Sequence, residues 1–220
     1  VFELSSHKMA EYIAPLLNIF ITIPINYILN KYWAYNQSKD KSIVITGCTG
    51  AVGYAIIDYA LNHKMKVLAI ARPETKALDS FKDNKYFLLY ECDLKELKNI
   101  KAEGSYSYFI HLAWQSSFGE DRNNKEIQQK NAEYTKDAVL LAEKFHCKKF
   151  IGAGSQGEYG LTDKKITEET PLNPITEYGK AKIVACNAAK ELCREKNIVF
   201  IWPRLFSVYG INEKPYTFTS

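Results

Sequence analysis

Tyr178 and Lys182 stand four residues apart in Tyr178-Gly-Lys-Ala-Lys182, so on a helix they share one face. An ammonium beside a phenol favours the phenolate, which is expected to bring the Tyr178 pKa down from about 10 towards working pH. A phenol poised in that way is a general acid/base for a sugar-type hydroxyl or ketone. Lys180, only two residues from Tyr178, points away from it. Upstream, Ser155 sits in Gly152-Ala-Gly-Ser-Gln-Gly-Glu-Tyr-Gly160, after a short apolar run. At the carboxyl end of a parallel strand its hydroxyl would hydrogen-bond the reacting oxygen while a hydride leaves or arrives. An ordinary surface Tyr–Lys contact, and plain turn chemistry in the Gly/Ser loop, are the alternatives.

A hydride needs a carrier. The run Thr46-Gly-Cys-Thr-Gly-Ala-Val-Gly53 follows a β-branched stretch and opens a helical one, the context in which a glycine motif marks a dinucleotide site. Gly47 permits the tight turn, Gly50 lets backbone approach a pyrophosphate, and Gly53 lets helix pack close to strand. The phosphates would rest on the helix N-terminus, so Thr46, Thr49, Ala51 and Val52 join the three glycines as expected cofactor contacts. Cys48 reads as a small filler rather than a nucleophile. The second strand ends in Ala69-Ile-Ala-Arg-Pro73 with no carboxylate for a ribose 2′-hydroxyl. Arg72 would instead pair with a 2′-phosphate, favouring NADP(H) over NAD(H), or is a solvated surface residue. Asp93, followed by Leu94, either accepts from the adenine amino group or forms a capping box with Glu96.

These residues need a scaffold. Strands are expected at Ser42–Thr46, Lys66–Ala71, Tyr86–Cys92, Tyr106–His111, Lys148–Ala153 and Ile198–Pro203. Helical periodicity covers Ala51–His63, Asn124–Phe145 and Glu177–Lys196, the last announced by Asn173 as a cap and Pro174 as its first residue. Alternating strand and helix imply an α/β fold, a doubly wound parallel sheet of Rossmann type over residues 42–210. Residues 12–30 carry no charge. As a helix they would span about 29 Å at about 1.5 Å per residue, close to a bilayer core of about 30 Å. Residues 1–35 are therefore expected to form an apolar transmembrane helix, with 36–41 as linker, and Lys31, Lys39 and Lys41 keep the remainder in the cytoplasm. An apolar arm packed on a soluble domain is the other reading.

Composition narrows the class further. The net charge of +4 comes without any basic run, so nucleic acid is not an expected partner. The five cysteines are scattered without a C-x-x-C pair and the four histidines are dispersed, so neither a metal site nor a disulfide framework is expected.

Residues 42–210 resemble the extended short-chain dehydrogenase/reductases, the NAD-dependent epimerase/dehydratase family. The resemblance is carried by Thr46–Gly53, Asp93-Leu94, His111-Leu-Ala-Trp114, Asn131, Ser155 with Tyr159-Gly160, Tyr178-x-x-x-Lys182, and Pro203-Arg204 with Tyr209-Gly210. It implies a catalytic triad of Ser155, Tyr178 and Lys182, with Lys182 also holding the nicotinamide ribose. It implies too that Ala113 and Trp114 line the nicotinamide side, that Asn131 supports the active-site helix, and that Pro203 lies near the carboxamide. The dehydratase branch carries an acid and a base where this chain has Gln156 and Gly157, so elimination of water is not expected. The family's C-terminal substrate lobe is expected to be truncated, beginning only at residues 211–220, and the chain reads as a fragment at both ends. Residues Ile23–Trp33 weakly resemble the last span of GtrA-like membrane proteins, which implies a link to lipid-linked sugars. The expected activity is a nucleotide-sugar oxidoreductase of the 4-keto-sugar reductase type, with a 4-epimerase or a non-catalytic dinucleotide-binding module as alternatives. A nucleotide-activated sugar is the expected substrate, and a homodimer the expected assembly.

Overall fold

The computed structural model describes residues 41–163, 165–206 and 208. The apolar N-terminal helix expected over 1–35, nearly all of the linker, Tyr209-Gly210 and the start of the C-terminal lobe lie outside the described residues. Within them no helix is long and apolar enough to cross a membrane.

Six parallel strands form the sheet: β1 (Ser42–Thr46), β2 (Lys66–Ala71), β3 (Phe87–Glu91), β4 (Tyr108–His111), β5 (Lys149–Gly152) and β7 (Val199–Ile201). Their order is β3-β2-β1-β4-β5-β7. The chain winds outward from β1 in both directions, so the switch point lies between β1 and β4, where ligands of open α/β sheets bind beyond the carboxyl ends. Helices α1 (Ala51–Asn62), α2 (Lys125–Lys144) and α3 (Glu177–Glu195) supply the crossovers. The expected strands are each trimmed by one to three residues at their ends except β1 and β2, which match, and such end differences reflect fraying.

Strand alternation explains why both faces must be covered. Ile43 and Ile45 of β1 point to one side, packing with Ile57, Ala60 and Leu61 of α1 and with Val67 and Ala69 of β2. Val44 points to the other, against Phe109, Phe150, Ala138, Leu141 and Ala142 of α2, and Ala189 of α3. A doubly buried strand therefore reads as a continuous apolar run, as Ile43-Val-Ile45 does. Phe109, Phe145 and Phe150 are fully buried, each contributing about 1.5–3 kcal/mol through apolar burial.

The connections on either side of β3 are short, a 3₁₀ turn (Asp79–Phe81) and a longer 3₁₀ segment (Leu94–Asn99). Asn173-Pro174 does not start α3: Thr176 is its cap, accepting from the Gly179 N–H at 3.1 Å. Gly160 packs directly on the Asn173 carbonyl, a tertiary contact made ahead of the helix. A final two-stranded parallel pair, β6 (Gly154–Ser155) and β8 (Arg204–Leu205), lies just beyond β5 and β7.

Candidate active site

The β1–α1 loop is shaped by contacts that exclude side chains. Gly47 has φ +70°, and a Cβ there would come within 2.5 Å of the Ala113 nitrogen. A Cβ on Gly53 would come within 2.5 Å of the Gly47 carbonyl oxygen. Gly50 differs, because a Cβ there would meet only the Gly47 oxygen, at 3.6 Å. Gly50 and Thr49 face outward, Gly50 caps α1, and no acidic residue sits in the first helical turn. A bare backbone at an uncompensated helix N-terminus fits an anionic pyrophosphate. Ala51 and Val52 occupy that first turn, half-buried. Cys48 is fully buried, its thiol donates to the Ile70 carbonyl, and burial pushes its pKa up to about 11, as suits a filler.

Thr46 closes β1 in a buried polar chain. Its hydroxyl is bonded to His111 Nδ1 at 2.8 Å, while His111 Nε2 lies 3.4 Å from the Thr135 hydroxyl, which itself donates to the Asn131 carbonyl. Since Thr135 spends its proton on Asn131, His111 donates from Nε2 and accepts from Thr46 at Nδ1. Burial and the nearby Lys182 charge push the His111 pKa down to about 3, so the ring stays neutral. Asn131 then grips the loop after β4 on both sides of Gln115, accepting from its N–H (2.7 Å) and donating to its carbonyl (2.9 Å). The resemblance implies support of the active-site helix, whereas these bonds go to the loop after β4, next to Ala113 and Trp114. Gln128, absent from the sequence reading, accepts from Trp114 Nε1 at 2.8 Å and donates to the Ser116 carbonyl at 2.9 Å.

Ser155, Tyr178 and Lys182 converge at the carboxyl end of β5. A Cβ on Gly179 would strike the Gly157 carbonyl, so α3 lies directly against the 155–160 loop and brings Tyr178 to Ser155. The two side chains flank Gly157, where a Cβ would stand 3.5 Å from Ser155 Oγ and 3.5 Å from a Tyr178 ring carbon. Lys182 is 4% exposed, donates to the Ala153 carbonyl at 2.8 Å, and lies 3.6 Å over the Trp114 ring and 5.6 Å from the Tyr178 ring. Burial drives the Lys182 pKa down to about 7.

One electrostatic expectation is reversed. Burial raises the Tyr178 pKa above its ordinary value; the Ser155 bond and the Arg122 charge pull the other way, and the Glu158 carboxylate adds to the rise. Lys182 lies 5.6 Å from the Tyr178 ring, but with its own pKa at about 7 it is uncharged at the pH where the phenol ionises. Lys180 does point away, paired with Glu177 at 2.7 Å.

Glu158 and Arg122 escaped the sequence reading. Glu158 is fully buried and accepts from the Ser155 N–H (2.8 Å), Trp202 Nε1 (3.1 Å) and Arg204 Nε (2.7 Å). Ser155 Oγ in turn accepts from the Gly157 N–H, which completes a capping box. Its signal was legible as Ser155-x-x-Glu158. Arg122 lies 4.1 Å over the Tyr178 ring, a contact between residues far apart in sequence that spacing does not reveal.

The remaining candidates sit on the same edge without joining this cluster. Arg72 is exposed beyond β2. Asp93, beyond β3, caps the 3₁₀ segment by accepting from the Lys95 N–H at 3.2 Å, while Leu94 packs against the core. The capping box with Glu96 is not formed, because Glu96 accepts from Asn99 instead. Pro203 accepts the Gly154 N–H at 2.9 Å, tying β8 to the loop that holds Ser155. Among the described residues no cluster suits a metal ion.

Known proteins share this architecture. The dTDP-4-dehydro-6-deoxyglucose reductase of Escherichia coli is 24% identical over 190 residues, 81% of this chain and 59% of that protein. UDP-glucose 4-epimerase 2 of Oryza sativa subsp. japonica is 23% identical over 193 residues, 80% of this chain and 47% of its own length. The crystal structure of UDP-glucuronic acid 4-epimerase from Bacillus cereus in complex with NAD superposes with a TM-score of 0.68 at 21% identity, covering 80% of this chain and 60% of that one. This chain thus spans about half to three fifths of the proteins it matches. The sequence model of the NAD dependent epimerase/dehydratase family matches residues 43–220, and with the parallel sheet and glycine cradle described above, the chain belongs to that family.

Proposed function

We propose that this chain is the dinucleotide-binding part of an enzyme that reduces the 4-keto group of a nucleotide-activated sugar, with Ser155, Tyr178 and Lys182 as its catalytic residues. The observation that carries the reading is the juxtaposition of Ser155 and Tyr178 around Gly157, at the edge that also bears the open Gly50 cradle. NADP(H) or NAD(H), bound along Thr46–Gly53, would supply the hydride. Tyr178 gives its phenolic proton to the ketone oxygen, and Ser155, whose oxygen already accepts the Gly157 N–H, directs its own proton towards the reacting site. Lys182, with a pKa of about 7, is in part neutral at physiological pH. Its position beside Ala153 and Trp114 suits a contact with the nicotinamide ribose.

A position vacated in this chain argues against elimination of water. A Cβ on Gly157 would lie 3.5 Å from Ser155 Oγ and 3.5 Å from the Tyr178 ring, facing the reacting site, and no carboxylate grows from it. Gln156 is exposed and carries no charge. A 4-epimerase is the second reading, favoured by the likeness to UDP-glucose 4-epimerase 2. Arg72, closing Ala69-Ile-Ala-Arg at the end of β2 without a carboxylate in that strand end, tilts the reading towards NADP(H) and reduction. Denaturing the purified protein and assaying the released dinucleotide separates the two: tightly held NAD supports the epimerase, and exchangeable cofactor consumed against a 4-keto sugar supports the reductase.

Anchoring through residues 1–35 belongs to the same proposal, supported by the uncharged run 12–30. Full-length protein found wholly in the supernatant after fractionation would remove it. A homodimer is proposed through the open groove between α2 and α3, where Val184 is 58% exposed. A monomeric mass in solution would exclude it.

A further inference from the structure

We propose that Arg122 is a second cationic partner of Tyr178, lying against the face of its phenol ring and holding the negative charge of the phenolate. The role deepens the reading of Tyr178 as the proton-transferring group and rests on it.

The placement is built from both sides. Arg122 belongs to a 3₁₀ turn, Glu120–Asn123, ahead of α2. The next residue, Asn123, accepts from the Glu177 N–H at 3.2 Å, pinning the turn to the first residue of α3, one position before Tyr178. On the other flank Gln128 donates to the Asp121 carbonyl at 3.2 Å. The guanidinium is itself fixed, since its Nη1 donates to the Ser117 carbonyl. Gly157 packs beside it: a Cβ there would stand 3.4 Å from Arg122 Nη2.

A cation over an aromatic face is attracted by the ring quadrupole, and more strongly once the ring is an anion. The groups around Tyr178 show why a second cation is needed. Ser155 and Glu158 face it from the loop after β5, Lys182 from its own helix, Trp114 from the loop after β4, and Arg122 from the turn before α2. Glu158 opposes ionisation, and Lys182, with a pKa of about 7, has lost its charge by the pH at which the phenol ionises. Arg122 is the charge in this set that favours the phenolate.

The test is a spectroscopic titration that needs no substrate. Tyr178 ionisation is read as the phenolate absorbance difference between each full-length protein and the same protein carrying Tyr178→Phe. Arg122→Met is expected to raise the midpoint by about one pH unit, a tenfold loss of acidity. Arg122→Lys, which keeps the charge without the flat guanidinium, is expected to raise it by less, and it decides the matter if Arg122→Met does not fold. Unchanged midpoints in folded variants overturn the proposal. A shifted midpoint in a protein that turns over no nucleotide sugar sustains the Arg122–Tyr178 coupling and removes the proposed reaction. Turnover with an unmoved midpoint does the reverse.

Discussion

The glycine loop between β1 and α1 is held by its own backbone, whereas the edge that carries Ser155 and Tyr178 is held by side chains distant in sequence. In the loop, the constraint at Gly47 and Gly53 is hard contact with neighbouring main chain. At the other edge, Glu158 gathers Ser155, Trp202 and Arg204 around one buried carboxylate, and Arg122 reaches Tyr178 from the turn before α2. A site made of local backbone tolerates little change in shape. One made of charge and hydrogen bonds tolerates little change in partner. Perturbing shape at one end and charge at the other should therefore give different failures.

The largest effects are expected where one of these supports is removed outright. Gly53→Ala puts a methyl within 2.5 Å of the Gly47 oxygen, and an overpacked contact of this kind is expected to cost about 3 kcal/mol in urea unfolding. Glu158→Gln leaves Arg204 without its carboxylate; breaking a buried ion pair costs about 3 kcal/mol, so a similar fall is expected, together with lost turnover as Ser155 loosens. If Glu158→Gln were as stable and active as the parent, the polar half of the comparison would fail.

Gly50→Ala separates shape from ligand. Its methyl meets only one oxygen, at 3.6 Å, so a stability change below about 1 kcal/mol is expected. Dinucleotide affinity, measured by fluorescence titration, should nevertheless fall roughly tenfold, about 1.4 kcal/mol. Unaltered affinity would show that the cradle is not where the pyrophosphate rests.

The most gradual effect is a pH dependence on the polar side, spread over several pH units. His111 is held neutral with a pKa near 3, against an ordinary value of 6.5. Between those values the unfolded chain binds the extra proton, so stability falls as pH drops from 6.5 towards 3. The slope from this one group is at most about 1.4 kcal/mol per pH unit. Lys182, lowered to about 7 from 10.5, acts in the same sense at higher pH, and stability should rise through that window. Urea midpoints across pH would read both; a flat profile between pH 4 and 6 would contradict the buried neutral His111.

The same contrast decides what could be read beforehand. The glycine run, the alternation of strand with helix, and the Tyr178–Lys182 spacing are local patterns, and each maps onto β1–α1, the six-stranded sheet and α3 as expected. Asn173-Pro174 misled because Thr176, two residues beyond Pro174, takes the capping role, while Asn173 meets Gly160. The acidity of Tyr178 was read with the wrong sign because spacing places Lys182 on the same helix face without saying how deeply both groups are buried. Gln128 and Arg122 act across the fold and carry no local signature, whereas Glu158 was within reach as a capping box.

The central claim is that Tyr178 moves the proton when hydride passes to the sugar. Single-turnover reduction of a nucleotide-activated 4-keto sugar, followed by loss of the reduced dinucleotide's absorbance, tests it in wild type and Tyr178→Phe at saturating substrate. Loss of a positioned general acid is expected to slow the step by about 10²–10⁴-fold with dinucleotide affinity unchanged. Equal rates in the two proteins would contradict the account.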